Sequence, residues 1–439
     1  MLDTSILKTV DNVKGVMDRR IFSDPDIYKK ELEQVFGRCW LFLGHESQVP
    51  KPNDFIAGYM GEDPILLTRD SKGKLHAFLN MCRHRGNRIC RADAGNAPSF
   101  MCTYHGWTFS TDGKLVGVPG YKEAYFEELD RSQWGLVEAG QIGSYKGLVF
   151  ATWDKQAPNL DDYLSNMAWY LDLLVDRREG GTEVLGISRW MLKSNWKFPA
   201  DNFGADGYHG PITHGSVTML GYKGEPQRNP YARNANSLAV TAANGHILVG
   251  FSTAEIEMRR RYQNFPPNIQ DYFISTTPEL EKRLGKTRAD RGTIPTSTVF
   301  PNMSTHTRAQ LRMYHPRGPE LTEMWIYCIV DKEAPLDIKT SLKAHLAQTF
   351  GPSGGLEVDD MNNWVQCTDS GHYTIGKRYP MNQQMGLGHE SSTEKFPGKV
   401  AQSHTELNQR NFYGKWAEMM AAPSWNEVHL DPKDTRFIK

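Results

Sequence analysis

Cysteine is scarce in this chain, with six in 439 residues, too few and too scattered for a disulfide framework at this size. Long apolar runs are missing too, and no stretch reaches membrane-spanning length. The first residues, Met1-Leu2-Asp3-Thr4-Ser5-Ile6-Leu7-Lys8, mix charge with apolar side chains and lack the apolar core of a signal peptide. Neither sign of charge dominates, since 51 Lys and Arg stand against 51 Asp and Glu. Nucleic acid and anionic membrane are therefore not expected as main partners. There is no internal repeat and no low-complexity segment. No Walker loop occurs, and Gly386-Leu387-Gly388 lacks the third glycine and the preceding strand of a dinucleotide fingerprint. What remains is the expectation of a soluble, cytoplasmic protein of two or three domains, with any nicotinamide or flavin carried by a separate protein.

Two of the six cysteines sit in a pattern. Cys82-Arg83-His84-Arg85-Gly86 is followed, after a spacer, by Cys102-Thr103-Tyr104-His105-Gly106-Trp107. Each short loop supplies one thiolate and one imidazole. Four such donors can close a tetrahedron around one zinc ion, or bind a two-iron cluster with both cysteines on one iron and both histidines on the other. The Cys-x-His then Cys-x-x-His order differs from zinc fingers, which pair Cys with Cys and His with His along the chain. Cys39, Cys90, Cys328 and Cys367 have no partner at ligand spacing and read as small buried hydrophobes.

Residues 1–22 show no periodic pattern and are expected as an extended arm. A helix is signalled by Ser23-Asp24 as cap, Pro25 in the first turn and Ile27, Tyr28, Leu32, Val35 and Phe36 at helical spacing, with Gly37 as its stop. After Trp40 the texture changes to short alternating runs parted by Lys72-Gly73, Gly95-Asn96 and Asp112-Gly113, which predicts a small all-β module of hairpins. Residues 147–153 read as its last strand. A helical stretch over 160–178 opens a larger region. It holds strand-like segments at 183–192, 237–249, 308–315 and 323–330 and helices near 339–350 and 411–420, so a mixed α+β domain is expected. Residues 221–236 and 253–297 are polar and rich in Arg and Pro, and read as surface loops or lids.

A second constellation lies between Trp196 and His214. Asn202 and Asp206 are four apart and His209 three further on, which would place them on one helix face. Gly210-Pro211 breaks the helix before His214, so both imidazoles can still converge. His-x4-His alone is a weak pattern, and two ordinary histidines explain it equally well. Far downstream, Gly351-Pro352 leads into Glu357-Val358-Asp359-Asp360. Two histidines and one carboxylate leave open positions on a non-haem ferrous iron; an Asp pair entering a helix also complements its dipole.

With both constellations in view, the chain resembles the α subunit of a Rieske non-haem iron aromatic-ring-hydroxylating dioxygenase. It is similar to the naphthalene, biphenyl, phenylpropionate and polycyclic-hydrocarbon group. The resemblance spans nearly the whole chain: Arg20-Ile21-Phe22-Ser23-Asp24-Pro25, the two Cys/His loops with their Arg-Gly and Gly-Trp, the stretch from Asn202 to His214, and Phe350 to Asp360. It implies an α+β protein, with an all-β Rieske [2Fe–2S] domain over 38–156 and a catalytic domain over 157–439 whose antiparallel sheet is covered by helices. An arm and helix over 1–37 would pack on the catalytic domain. It implies that Cys82 and Cys102 hold one cluster iron and His84 and His105 the other, and that His209, His214 and Asp360 hold a mononuclear Fe(II). Asp206 matches a bridging aspartate that hydrogen-bonds a Rieske histidine of a neighbouring subunit, and Asn202 a residue near the iron. Phe203, Gly207, Phe350 and Leu356 fall where relatives line the substrate pocket.

The implied activity is cis-dihydroxylation of an aromatic ring with dioxygen. Electrons would come from NAD(P)H through a reductase and usually a ferredoxin, in a trimer of pairs with a small β subunit. Monohydroxylation or demethylation would use the same residues. Arg83, Arg85, Arg88 and Arg91 read either as a docking face for an acidic ferredoxin or as a solvated face with bracing arginines. Small residues at Gly204, Ala205, Gly207 and Gly210 would leave room for a bulky aromatic, or serve helix packing. A neutral aromatic hydrocarbon is the expected substrate. His306 and Arg308, on a pocket-side segment, keep an aromatic carboxylate such as a phthalate as the alternative.

Overall fold

In the computed structural model, the alternating runs after Trp40 become a unit of short antiparallel strands, Phe36–Leu160. The structure describes residues 4–215, 237–252, 262, 265–291, 296–306 and 309–437. One sheet has the order Leu75–Leu79, Asp63–Arg69, Asp54–Met60, Ala94–Asn96. A second joins Leu115–Gly117, Thr108–Ser110 and Ser99–Met101, and a third sets Leu148–Thr152 between Gln141–Tyr145 and Leu41–His45. Phe55, Leu66, Phe78, Phe100 and Phe109 share one core with Cys82, Cys102 and Trp107. The cysteine loops thus rise directly from packed strands, which fixes their backbone before any ligand binds.

The second unit comprises Met1–Val35 and Asp161–Lys439. Among the described residues its centre is a nine-stranded antiparallel sheet. The order is Thr182–Leu192, Thr322–Asp331, Gln310–Pro316, Met303–His306, Thr296–Val299, Ile247–Ser252, Ser237–Thr241, Lys399–Gln402, Ser391–Ser392. Helices Lys197–Ala205 and Leu407–Ala421 pack on its middle strands, and Leu336–Phe350 on Thr322–Asp331. An antiparallel sheet under helices is the expected fold class. Among the described residues no helix is long and apolar enough to cross a membrane.

The helix that follows Ser23 begins as its sequence requires. Asp24 caps it, accepting from the backbone N–H of Asp26 at 2.9 Å and of Ile27 at 3.3 Å, with Pro25 in the first turn. It runs from Pro25 to Glu31 and continues as a wider π turn over Leu32–Phe36. Glu31 is fully buried and pairs with the ammonium of Lys197, while its oxygens accept from Trp196 Nε1 at 3.1 Å and Trp416 Nε1 at 2.7 Å. This network ties helix Pro25–Glu31 to the start of helix Lys197–Ala205, the element that delivers the second constellation.

Two expectations fail here. From residue 4 onward the stretch up to 22 is no extended arm: Thr4–Leu7 is a short helix, Val10–Asp11 and Val16–Met17 form a hairpin that pairs with Met381–Asn382, and Ile21 and Phe22 are buried. Two-residue strands are too short for periodicity to reveal. The polar stretch 253–297 is not a loop where it is described, since Pro267–Ser275, Thr277–Leu284 and Lys286–Arg291 are helices. Ile269 and Phe273 recur at helical spacing amid polar residues and bury against Ile338, Leu342 and Leu346. Residues 221–236 and 253–261 lie outside the described residues.

Candidate metal centres

The two Cys/His loops are built alike. Cys82 N donates to Asn87 O at 2.8 Å and Gly86 N to Cys82 O at 2.9 Å; Cys102 N donates to Trp107 O at 2.8 Å and Gly106 N to Cys102 O at 2.9 Å. Each loop therefore closes on its cysteine four and five residues later. Gly86 and Gly106 turn it with φ of 77° and 75°, a backbone that side chains rarely adopt. The chain folds back so tightly that backbone N–H groups of His84 and Arg85 point at Cys82 Sγ, and those of Tyr104 and His105 at Cys102 Sγ. Asn87 Nδ2 adds a donor 3.6 Å from Cys102 Sγ. Such donors suit electron-rich thiolate sulfur.

The two sulfurs are within hydrogen-bond reach of each other. The two imidazoles meet edge to face, with ring centres 4.5 Å apart, and the stacked ring of Trp107 braces His84 at 5.0 Å. His84 Nδ1 is buried without a hydrogen-bond partner, as a nitrogen reserved for a metal would be. The pairing of the donors favours two metals over one. A single zinc would draw all four donors to within about 4 Å of one another. Among the described residues, the group of three or more donors that converges within 4.8 Å is His209, His214 and Asp360. Paired sulfurs and paired imidazoles that do not share one focus suit a two-iron cluster.

Around this site Arg83 braces backbone and ring, donating to Gly135 O at 3.3 Å with its guanidinium 5.4 Å from the Trp134 ring centre. Arg85, Arg88 and Arg91 are exposed.

In the second unit the helix ends earlier than the spacing suggested. It runs Lys197–Ala205, with Asp206 as its C-cap, so Asn202, Asp206 and His209 do not share a continuous helix face. The chain then turns at Gly207, where a Cβ would stand 2.5 Å from Ser403 O. The turn itself makes the contact that the helix does not. Asp206 Oδ1 accepts from Tyr208 N at 2.9 Å and His209 N at 3.0 Å, and Asp206 O accepts from His209 Nδ1 at 2.7 Å. Pro211 then opens the short helix Gly210–Thr213 that swings His214 round.

His209 Nε2 and His214 Nε2 each lie 3.4 Å from the same atom, Asp360 Oδ1. First-row metal bonds of about 2 Å put donors on one face of an ion about 3 Å apart, so the three fit an iron of the two-histidine, one-carboxylate kind. Asp360 is buried at 2% exposure, in the first turn of helix Glu357–Asp369. Asp359 is not merely a charge at the helix start, since its Oδ2 lies 3.8 Å from His214 Nδ1. Burial opposes charge on His209, yet Asp206 and Asp360 outweigh it and raise its pKa to about 10. The pocket of carboxylates is thus made for a cation.

Above the triad, Phe203 is buried with its ring centre 5.4 Å from His306, 6.3 Å from Phe350 and 6.0 Å from Trp364. His306 packs on Phe350 at 4.3 Å. Leu356 stands just before the Glu357 helix, half-buried. Asn202 lies in the last turn of its helix, its carbonyl accepting from Asp206 N at 3.3 Å. In the direction a side chain would take, Gly204 and Gly207 face protein. A Cβ at Gly204 would meet Ile247 and Thr298 at 2.6 Å, so both glycines serve close packing; only the position of Gly210 is open. Arg308 lies outside the described residues.

Several working residues carry no sequence motif. Arg312 is fully buried, clamps Glu357 through bonds of 3.0 and 2.7 Å, and lies 3.7 Å over the Phe203 ring. Its one signal is a lone arginine in an apolar strand. Asn408 Nδ2 donates to Gly204 O at 3.0 Å and Leu248 O at 2.7 Å, and Tyr413 OH to Asp201 Oδ2 at 3.1 Å, which pins the site helix to the C-terminal one.

Comparison with known proteins covers both centres. The model of the Rieske [2Fe-2S] domain family matches residues 39–134, and that of the ring hydroxylating alpha subunit (catalytic domain) matches residues 160–422. The biphenyl 2,3-dioxygenase subunit alpha of Rhodococcus jostii (strain RHA1) is 38% identical over 436 residues, covering 96% of this chain and 93% of its own. The benzene 1,2-dioxygenase subunit alpha of Pseudomonas putida is 37% identical over 442 residues, covering 97% and 96%. Among solved structures, naphthalene 1,2-dioxygenase with indole bound in the active site superposes with a TM-score of 0.86 at 31% identity, covering 96% of this chain and 95% of its own.

Proposed function

The chain belongs to the ring-hydroxylating alpha subunits, with a Rieske domain ahead of their catalytic domain, and on that premise we propose that it is the terminal oxygenase component that cis-dihydroxylates an aromatic ring. The observation that carries this reading is the common focus of His209 Nε2, His214 Nε2 and Asp360 Oδ1 in a chain that also bears the paired cysteine and histidine loops. The enzyme is an oxidoreductase with one Rieske [2Fe–2S] cluster and one mononuclear iron. Cys82, His84, Cys102 and His105 would hold the cluster, and the triad the iron. When bound, the iron supplies dioxygen activation and the cluster supplies electrons.

The chain's own residues do the rest. Asp206 takes the Nδ1–H of His209 on its backbone oxygen, which turns the Nε2 lone pair toward the triad's focus. Asp359 approaches the outer nitrogen of His214 in the same sense. Phe203 and Phe350 offer apolar faces that hold a flat ring and exclude water. The role that the resemblance gives Asp206, a link to a Rieske histidine of a neighbouring subunit, is part of this proposal, as are Asn202 beside the iron and Gly207 and Leu356 at the pocket margin.

As an alpha subunit the protein works with a β subunit and electron-transfer partners; an α3β3 assembly and a ferredoxin docking at Arg85, Arg88 and Arg91 are the finer form of the proposal. The substrate we favour is a neutral aromatic, since Arg312, the guanidinium beside the site, already has its charge balanced by Glu357. The test is a screen of aromatic hydrocarbons and acids with a matched reductase and ferredoxin, reading product by mass. Dihydrodiols from neutral rings are expected; activity confined to carboxylates would count against the substrate class.

A further inference from the structure

The strand Met303–His306 ends on a histidine packed between two aromatic rings. His306 sits between Phe203 and Phe350, its ring centre 5.4 and 4.3 Å from theirs. It lies close enough to the iron site for the charges of His214, His209 and Arg312 to act on it. Its Nδ1 is 3.0 Å from Thr296 Oγ1, across the strand pair. The threonine hydroxyl has no other bonded acceptor among the described residues, and donating to Nδ1 gives it one. With the pair assigned in that sense, the imidazole proton is on Nε2, the ring's remaining polar atom.

Burial and the neighbouring guanidinium of Arg312 hold the His306 pKa well below its usual value, so the ring offers a neutral N–H. It has no positive charge for a carboxylate. The charge of Arg312 is balanced by Glu357, which engages both its terminal nitrogens and leaves only Nε without a partner, and Asp206 and Asp360 add negative charge nearby. Burying an anion there would be costly.

We propose that His306 is a specificity-determining residue of the substrate pocket, its Nε2–H donating a hydrogen bond to an uncharged acceptor on a neutral aromatic substrate: a ring nitrogen, or an ether or carbonyl oxygen. The inference rests on the reading of this site as an aromatic oxygenase pocket and deepens it. A purely hydrocarbon substrate still binds, but leaves the N–H without a partner.

The test is equilibrium binding of naphthalene, quinoline and 2-naphthoate to the oxidised, metal-replete oxygenase without electron donors, with oxidation assayed in parallel. Quinoline replaces one naphthalene C–H by an acceptor nitrogen at nearly constant shape. The quinoline-to-naphthalene affinity ratio is expected to fall about three- to tenfold in His306→Leu, with naphthalene bound as well or better. It should be partly restored in His306→Gln, which keeps a donor. Thr296→Val, which lets the proton shift to Nδ1, should also lower the ratio while leaving His306 in place. 2-Naphthoate should bind weakest. A ratio unchanged in both His306→Leu and Thr296→Val, with naphthalene still oxidised, overturns the hydrogen bond alone, as does tightest binding of 2-naphthoate. An enzyme that neither binds nor oxidises any of these aromatics overturns the oxygenase reading, and this inference with it.

Discussion

Asp206 grips His209 from both its backbone and its side chain: its carbonyl oxygen accepts from Nδ1 at 2.7 Å and its Oδ1 from the His209 amide at 3.0 Å. The imidazole that faces Asp360 is thereby fixed in direction, and Nδ1 keeps its proton when a metal takes Nε2. Because the shorter Nδ1 contact is to the backbone, with the carboxylate Oδ2 farther away at 3.4 Å, Asp206→Asn should preserve it. The variant is expected to keep its iron and a reducible cluster while product formation falls about ten- to a hundredfold. Metal analysis, the reduced-cluster spectrum and turnover check this together; full turnover would remove Asp206 from the electron path.

Asp360→Ala deletes the atom on which both imidazoles converge. The expected protein retains acid-labile sulfide and the cluster's iron, loses the remaining iron, and forms no product. Loss of sulfide as well would mean that the two centres are not independently held.

The buried pair of Glu31 and Lys197 anchors the site helix through Trp196 and Trp416. Glu31→Ala would leave a buried ammonium and two indole N–H groups without acceptors, at a cost of about 3–5 kcal/mol. Thermal or denaturant unfolding should show that loss, and iron occupancy should fall with it, although Glu31 is no ligand.

His246 gives a pH dependence apart from the metal sites. Buried beside Tyr163, it donates Nε2–H to Tyr163 O at 2.8 Å and accepts from Phe300 N at 3.0 Å, so the neutral ring is the one the fold holds. Burial lowers its pKa to about 4. A depressed folded pKa means that the unfolded chain binds the proton first. The stability due to the neutral ring is complete above the unfolded value near 6.5 and is lost as pH falls toward 4, on the order of 3 kcal/mol in all. Melting temperatures at neutral pH and near pH 5 should differ less in His246→Gln than in the native chain.

The sequence reveals local chemistry far better than long-range pairing. The cysteine loops and the Asp24 cap are legible because each is closed by hydrogen bonds within a few residues. Asp206 and His209 meet, but through a turn closed by Asp206 itself; helical spacing alone could not show that. Arg312 and Glu357 stand 45 residues apart, and Glu31 and Trp416 stand 385 apart; no spacing rule connects such pairs. The helices of 267–291 hide because few of their residues are apolar. The hairpin near the N-terminus hides because its strands are two residues long.

The central claim is that the triad directs both atoms of dioxygen to one aromatic ring. Isotopically labelled dioxygen, supplied with naphthalene to the complete electron-transfer system, tests it most directly. The account predicts a cis-dihydrodiol carrying two labelled oxygens; a product carrying one label, with the other recovered in water, would contradict it.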